Sequence, residues 1–334
     1  MASNFKLTEL MVVRCAKEIN DGEVVFAGVG LPLVVVGFAM VTHAQNMILF
    51  TEGGSIRATA PPGLAITVDD PALFCNGDAT FGMLATMAAL QRGEVDVAFI
   101  GGAQIDKYGN INSTGVGDWS KPESFTYFAG SGGANDMATS GKKVLAIMPQ
   151  DPKKFVEKVD YLTTPGYLDG PGARKKLGMI GGGPTVVVST MGVYKFDDAT
   201  KEMYLAEYFP GQTVDKVRAN CSFDLNVASN VKETEPPTEQ ELTILRGIDP
   251  TGGAAFCFRR LPFVFSSAGT PSSGESTRPG PARDGNSVIP GACCGSPRFQ
   301  TARPRRSGCP GENHPGGSVR WGNERRHRDC PSPA

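Results

Sequence analysis

The sequence predicts an α/β fold built on an open, mainly parallel sheet with helices on both faces, and three observations carry that prediction. Apolar runs of strand length alternate with helix-period segments over residues 1–250, as expected of strands buried on both faces. Strand-like runs end in glycine, as in GVG (28–30), EGG (52–54) and GGAQ (101–104). Glycine contributes 29 of the first 250 residues, about 12% against a usual ~7%, and it collects at those tips. In open α/β sheets ligands bind beyond the carboxyl ends of the strands, so the chemistry is expected there.

Each element has its own warrant. Leu7, Leu10, Met11, Ala16 and Ile19 lie near helical spacing, and Asp21-Gly22 ends that helix. EVVFAGVG (23–30) reads as a buried strand entering a glycine turn, and LPLVVVGFAMVTHA (31–44) as an apolar helix with Pro32 in its first turn, where a missing N–H costs nothing. NMILFTE (46–52) is the next strand, ATFGMLATMAALQRG (79–93) a helix closed by Gly93, and VDVAFIGGAQI (95–105) another strand. KKVLAIMPQ (142–150) and PTVVVST (184–190) are further strands, and residues 191–208 read as a hairpin turning at Asp197-Asp198.

Near residue 250 the composition changes. Residues 1–250 carry a net charge of −8, with 15 Lys and 6 Arg, whereas residues 251–334 carry +7 from 12 Arg and no Lys. Gly and Pro make up 24 of those last 84 residues, near the 25–30% that marks low complexity. A basic, flexible interaction tail is one reading. GC-rich coding DNA read out of frame would also produce Lys-free, Arg-only usage, and that is the reading taken. The expected organisation is one domain over 1–252 and a disordered, frame-shifted Arg/Gly/Pro/Ser-rich tail over 253–334.

Several function classes drop out. An acidic body offers no electrostatic footprint for nucleic acid. The N-terminus lacks an export signal, and the apolar stretch at 31–41 is far short of the ~20 residues of a membrane span. The body is expected to be cytoplasmic. Cys15, Cys75 and Cys221 are widely separated, as expected of buried thiols, and the tail's Cys and His residues have no regular ligand spacing, so no metal site is expected.

The motifs are weaker singly than together. GVGLP (28–32) has Leu33 at the third glycine position of a dinucleotide fingerprint and fails as one. A strand, a glycine turn and a helix start at Gly28, Gly30 and Pro32 still make either an anion site or a packing turn. SGKK (140–143) fails as a phosphate loop, because Asp136 stands at the required glycine. GSGGAND (130–136) is dense in glycine, and such loops let backbone N–H groups converge on an oxyanion. Gln104, Asn110 and Asn112 could orient a carboxylate or satisfy turn backbones. Glu52 ends a buried strand before Gly53 and Gly54, which would clear space for a substrate. The body's one histidine, His43, stands at the far end of a helix. A glutamate with backbone donors and no base suits nucleophilic catalysis by the carboxylate itself.

The ordered set GVGLP, FTEGG, FIGGAQIDKYGNINSTGVGD, GSGGAND, DYLTTPGYLDGPGARKKLG and GIDP resembles the β subunits of glutaconate-type, family I CoA-transferases over about residues 5–252. The resemblance implies Glu52 as the catalytic carboxylate. It implies Gly130, Gly132, Gly133 and Ala134 as backbone donors for the oxyanion and CoA, and Gly28, Gly30 and Pro32 as the turn of the CoA and carboxylate site. Gln104 and Asn112 would be substrate-orienting. Gly53 departs from the family's usual serine or asparagine, which bears on substrate choice. An α subunit of similar fold is the implied partner, coenzyme A is a substrate, and no bound cofactor is needed. Such β subunits end soon after the GIDP-like segment.

The implied reaction is a ping-pong transfer of CoA through a glutamyl-CoA thioester on Glu52. Each tetrahedral oxyanion would need donors worth ~3–4 kcal/mol apiece. Relatives that open carbon rings by CoA-ester hydrolysis, or decarboxylate an acyl-CoA, tend to lose this glutamate and form the second reading. A non-catalytic sensing or scaffold subunit is the third.

Overall fold

The computed structural model describes residues 4–61, 65, 67–250 and 252. The chain divides at Ala268–Gly269, and all described residues belong to the first unit. The tail expected over 253–334 lies outside the described residues.

The main sheet is assembled from ten strands: β1 (Val24–Ala27), β2 (Ile48–Phe50), β3 (Ser55–Arg57), β4 (Ala79–Thr80), β5 (Val97–Ile100), and five later ones. Two short hairpins intervene in the chain, β6 (Gln104–Ile105) with β7 (Ile111–Asn112) and β8 (Gly115–Val116) with β9 (Thr126–Tyr127). The sheet then resumes with β10 (Lys143–Met148), β11 (Pro184–Ser189), β12 (Gly192–Phe196), β13 (Met203–Tyr208) and β14 (Asn226–Glu233). The helices are α1 (Leu7–Ala16), α2 (Leu31–Thr42), α3 (Pro71–Phe74), α4 (Met83–Gln91), α5 (Ala134–Ser140), α6 (Ala173–Lys176), α7 (Val214–Arg218) and α8 (Glu239–Ile248).

Strand order is β14-β13-β12-β11-β10-β5-β1-β2-β3-β4. The five central strands β11, β10, β5, β1 and β2 are mutually parallel. Antiparallel pairs flank them on both sides, and the expected 191–208 hairpin is β12–β13. Along the parallel strands the chain goes from β1 outward to β2, then returns past β1 to β5. The direction of winding therefore reverses at β1, and the carboxyl ends of β1 and β5 are where such sheets hold ligands.

Side-chain alternation divides the core. Val25, Ala27, Val97, Phe99, Leu145 and Ile147 face α1, α2 and α8, while Phe26, Ala98, Ile100, Val144, Ala146 and Met148 face the layer of α4, α5 and α7. Helix α2 is buried from Leu31 to Met40, and each fully buried Val, Leu or Phe contributes about 1.5–3 kcal/mol. Two expectations change. The strand expected over 95–105 divides into β5 and β6, and between them Gly102 lies against Ile111, whose Cγ2 is only 2.3 Å from where a Cβ would stand. Of the three thiols, Cys75 is exposed rather than buried. Among the described residues no helix is long and apolar enough to cross a membrane.

Candidate active site

Glu52 sits in the turn that joins β2 to β3. Thr51, 2% exposed, clamps that turn: its N–H donates to Ser55 O at 3.0 Å, its carbonyl accepts from Gly54 N at 3.1 Å, and its Oγ1 accepts from Ser55 N at 3.1 Å. The Ser55 hydroxyl donates to Leu73 O, tying the turn to α3. The backbone at Glu52 is thus held from both sides while its side chain is half-buried.

That side chain meets the glycine loop before α5. Gly133 N–H donates to Glu52 Oε1 at 3.1 Å. At Gly132 (φ +48°) a Cβ would stand 3.3 and 3.4 Å from the two carboxylate oxygens, and at Gly133 it would stand 3.5 Å from Glu52 Cδ. A side chain at Gly132 would press on the carboxylate, and the positive φ there also favours glycine. The loop is anchored behind. Gly130 N–H donates to Ser113 O and Ser113 Oγ donates to Gly130 O, both at 3.0 Å. Ser113 N–H donates to Thr163 Oγ1 at 3.0 Å. Neither Ser113 nor Thr163 stands out in the sequence, since isolated hydroxyl residues carry no signal.

The four expected backbone donors therefore divide. Gly130 and Ala134 do not donate to the site, because their N–H groups are taken by Ser113 O and Ser131 O. Gly133 donates to Glu52, and the Gly132 N–H carries no hydrogen bond among the described residues. Asn112 is not free to orient a substrate, and the Gln104 side-chain carbonyl is engaged as well. Both are buried, and Asn112 Nδ2 donates to Gln104 Oε1 at 2.9 Å and to Gly115 O at 2.8 Å. Asn112 Oδ1 accepts from the N–H groups of Thr114 and Gly115. These amides hold the β6–β7 hairpin to the chain that leads into β8.

The glycines beside Glu52 do not open space for a substrate. A Cβ on Gly53 would stand 2.5 Å from Val68 O, and one on Gly54 (φ +101°) would stand 1.8 Å from Phe81 O. Both are closed by neighbouring backbone. Gly28, Gly30 and Gly130 are open, with nothing within 4 Å of a Cβ position. Gly28 and Glu52 each follow the carboxyl end of their strand, β1 and β2, which are parallel neighbours. Gly30 (φ +87°) precedes the first residue of α2, and Pro32 lies in the first turn. His43 is tied away, with Nε2 3.1 Å from Ala16 O and Ile19 O.

A separate cavity of about 460 Å³ lies around Tyr167, Arg174, Lys175, Gly181 and Lys201. It is at the opposite rim of the sheet, where β10 and β11 begin. Lys201 already pairs with Asp198, and the Arg174 Nη groups bond backbone carbonyls.

Residues 8–220 match the coenzyme A transferase family. The β subunit of glutaconate CoA-transferase from Acidaminococcus fermentans is 38% identical over 261 residues, covering 76% of this chain and 96% of the relative. The β subunit of 3-oxoadipate CoA-transferase from Pseudomonas knackmussii is 34% identical, with the same coverage. The crystal structure of glutaconate coenzyme A-transferase from A. fermentans superposes with a TM-score of 0.68 at 35% identity, covering 74% of this chain and 95% of that one. By sequence and by fold, the chain belongs to the coenzyme A transferase family.

Proposed function

We propose that residues 1–252 form the β subunit of an acyl-CoA:carboxylate CoA-transferase, active with an α subunit, in which Glu52 is the nucleophile. A glutaconate-like dicarboxylate is the favoured substrate class. The observation that carries the reading is the Gly133 N–H on Glu52 Oε1 at 3.1 Å, in a loop whose Gly132 N–H is unpartnered among the described residues.

The steps follow from that arrangement. A Glu52 oxygen attacks the thioester carbonyl of an acyl-CoA, the C–S bond breaks, and an acyl-glutamyl anhydride and CoA thiolate result. The thiolate attacks the glutamyl carbonyl and expels the acyl group as a carboxylate, leaving CoA on Glu52. An acceptor carboxylate runs the same two steps in reverse. The N–H groups of Gly132 and Gly133 supply preorganised donors for the oxyanion, and binding of the CoA body, remote from the reacting bond, drives the strained intermediate. Gly28 and Gly30 leave room for the chain of the ligand at the strand ends.

Covalent trapping tests this. The chain is assembled with its α subunit, given an acyl-CoA without acceptor, reduced with borohydride, and the peptide containing Glu52 is mapped by mass spectrometry. Reduction of Glu52 to the alcohol only when acyl-CoA is present is expected. An unmodified peptide from a complex that still consumes acyl-CoA would sink the mechanism and favour hydrolysis or decarboxylation.

A further inference from the structure

The GPGARKKLG segment (170–178) takes no part in the site chemistry, yet it holds a buried guanidinium. Arg174 is 7% exposed. Its Nη1 donates to Pro165 O at 3.3 Å and Gly166 O at 3.0 Å, and its Nη2 donates to Ala138 O at 2.8 Å and Gly181 O at 3.0 Å. It has no carboxylate partner among the described residues, and its Nε–H is buried without a hydrogen bond. The four carbonyls alone therefore solvate the charge and set its orientation. Burial lowers its pKa.

Those carbonyls belong to three segments, of which one is α5, the helix that follows the glycine loop. Ala138 lies in the last turn of α5, where carbonyls lack intrahelical partners. The neighbouring ends are closed by Gly181 N–H on Thr139 O and Gly182 N–H on Gly141 O. The residue preceding the same helix is Gly133, the donor to Glu52. Pro165 and Gly166 follow Thr163, whose carbonyl accepts from Asn135 Nδ2 at 3.4 Å and whose hydroxyl accepts from Ser113 N–H. Only a planar fork reaches four carbonyls on three segments at once; a lysine donates from a single point.

We infer that Arg174 is a positioning residue for the reaction: by locking the far end of α5 to residues 165–166 and 181, it holds the Gly132–Gly133 loop in register with Glu52. The inference rests on the CoA-transfer reading for its chemistry, but its geometry is independent of it. Misplacing a reacting group by about 1 Å can cost ~100-fold, so the effect should fall on kcat rather than on substrate binding.

The test uses the assembled complex. Arg174→Lys and Arg174→Ala should each lower kcat by roughly 10- to 100-fold, with KM for the acyl-CoA changing less than about twofold. The trappable Glu52 adduct should form more slowly by the same factor. Because Arg174 lines the 460 Å³ cavity, guanidinium ion has a route to its place, and millimolar guanidinium should restore part of kcat to Arg174→Ala but none to Arg174→Lys. Unchanged kcat in both variants overturns the inference, as does a loss that only tracks the folded fraction. Should neither variant assemble, Asn135→Ala, which cuts the part-buried tie to Thr163, should lower kcat in the same direction, and an unchanged value again overturns it. Absence of any adduct in the wild-type complex would sink the CoA-transfer reading alone, since the split between kcat and KM is read on whatever acyl-CoA turnover remains.

Discussion

Two glycine pairs stand near Glu52, and they do opposite things. Gly53 and Gly54 follow it in the chain, and neighbouring backbone closes in on them: Val68 O and Phe81 O occupy the space that a side chain would need. Gly132 and Gly133 lie about eighty residues further on, yet the missing side chain of Gly132 faces the carboxylate itself, and that of Gly133 faces the Met87 methyl with Glu52 Cδ just beyond. Adjacency along the chain placed the first pair in a packing role. Tertiary approach placed the second at the chemistry. Glycine marks a close approach in both cases, and only the identity of what approaches separates a structural glycine from a site glycine.

The largest effect tests whether the carboxylate in this cradle is the reacting group. Glu52→Gln in the assembled complex should lower kcat by at least ~10³-fold while leaving thermal stability near wild type. Retained turnover would empty the comparison of its catalytic half.

The two pairs should then respond oppositely to alanine. Gly54→Ala forces a non-glycine residue to φ +101° with Phe81 O 1.8 Å from its Cβ, and should cost on the order of 3 kcal/mol of stability. Gly132→Ala crowds the Glu52 oxygens and should lower kcat by about 10²-fold with a much smaller change in unfolding midpoint. If Gly54→Ala is the purely kinetic variant and Gly132→Ala the unstable one, the comparison is inverted.

The loop behind the site sharpens the contrast through pH. Asp106 is buried, and desolvation raises its carboxyl to about 6 despite hydrogen bonds from Asn110 and the Tyr108 N–H. A raised carboxyl pKa means that the folded state keeps a proton that the unfolded chain has already released. Its contribution is therefore fully present below about pH 4 and lost as pH rises through about 6. Between pH 4 and 7 this loss is about 2–3 kcal/mol, and Asp106→Asn should remove it from a stability–pH curve measured by chemical denaturation. Identical curves for the two proteins would refute the assignment.

The smallest effect separates support from recognition. Asn112→Ala removes the side-chain partner of Gly115 O and of the Thr114 and Gly115 N–H groups, while Gln104 Oε1 keeps the Asp160 N–H; it should cost about 2 kcal/mol, with KM for the acyl-CoA shifted less than about twofold. A tenfold rise in KM without loss of stability would return Asn112 to the substrate-orienting role.

Legibility in the sequence follows physical range. The parallel core was readable because strands buried on both faces need continuous apolar runs, and EVVFAGVG, NMILFTE and KKVLAIMPQ have them. Helix α8 passed unread although Thr238 and Glu241 form a capping box, a signal that could have found it. The segment from Arg57 to Asp78 offered no periodic pattern. Among its described residues, one buried guanidinium, Arg57, donates to the carbonyls of Thr59, Ala60, Ala72, Leu73 and Cys75. Arg174 was invisible for the same reason, since the partners of a buried arginine are backbone carbonyls that every residue possesses.

By itself the sequence determined the periodicities, the glycine-tipped strands and the presence of a lone glutamate at a strand end, because these depend on local sterics and on which residues avoid water. The tertiary structure alone decided which N–H groups remain free. Gly130, Gly132, Gly133 and Ala134 are nearly equivalent as a string, but Ser113 O and Ser131 O take up two of their N–H groups and leave the other two beside Glu52. Hydrogen-bond donors are allotted by proximity in space, and no residue in the string records which carbonyl arrives first.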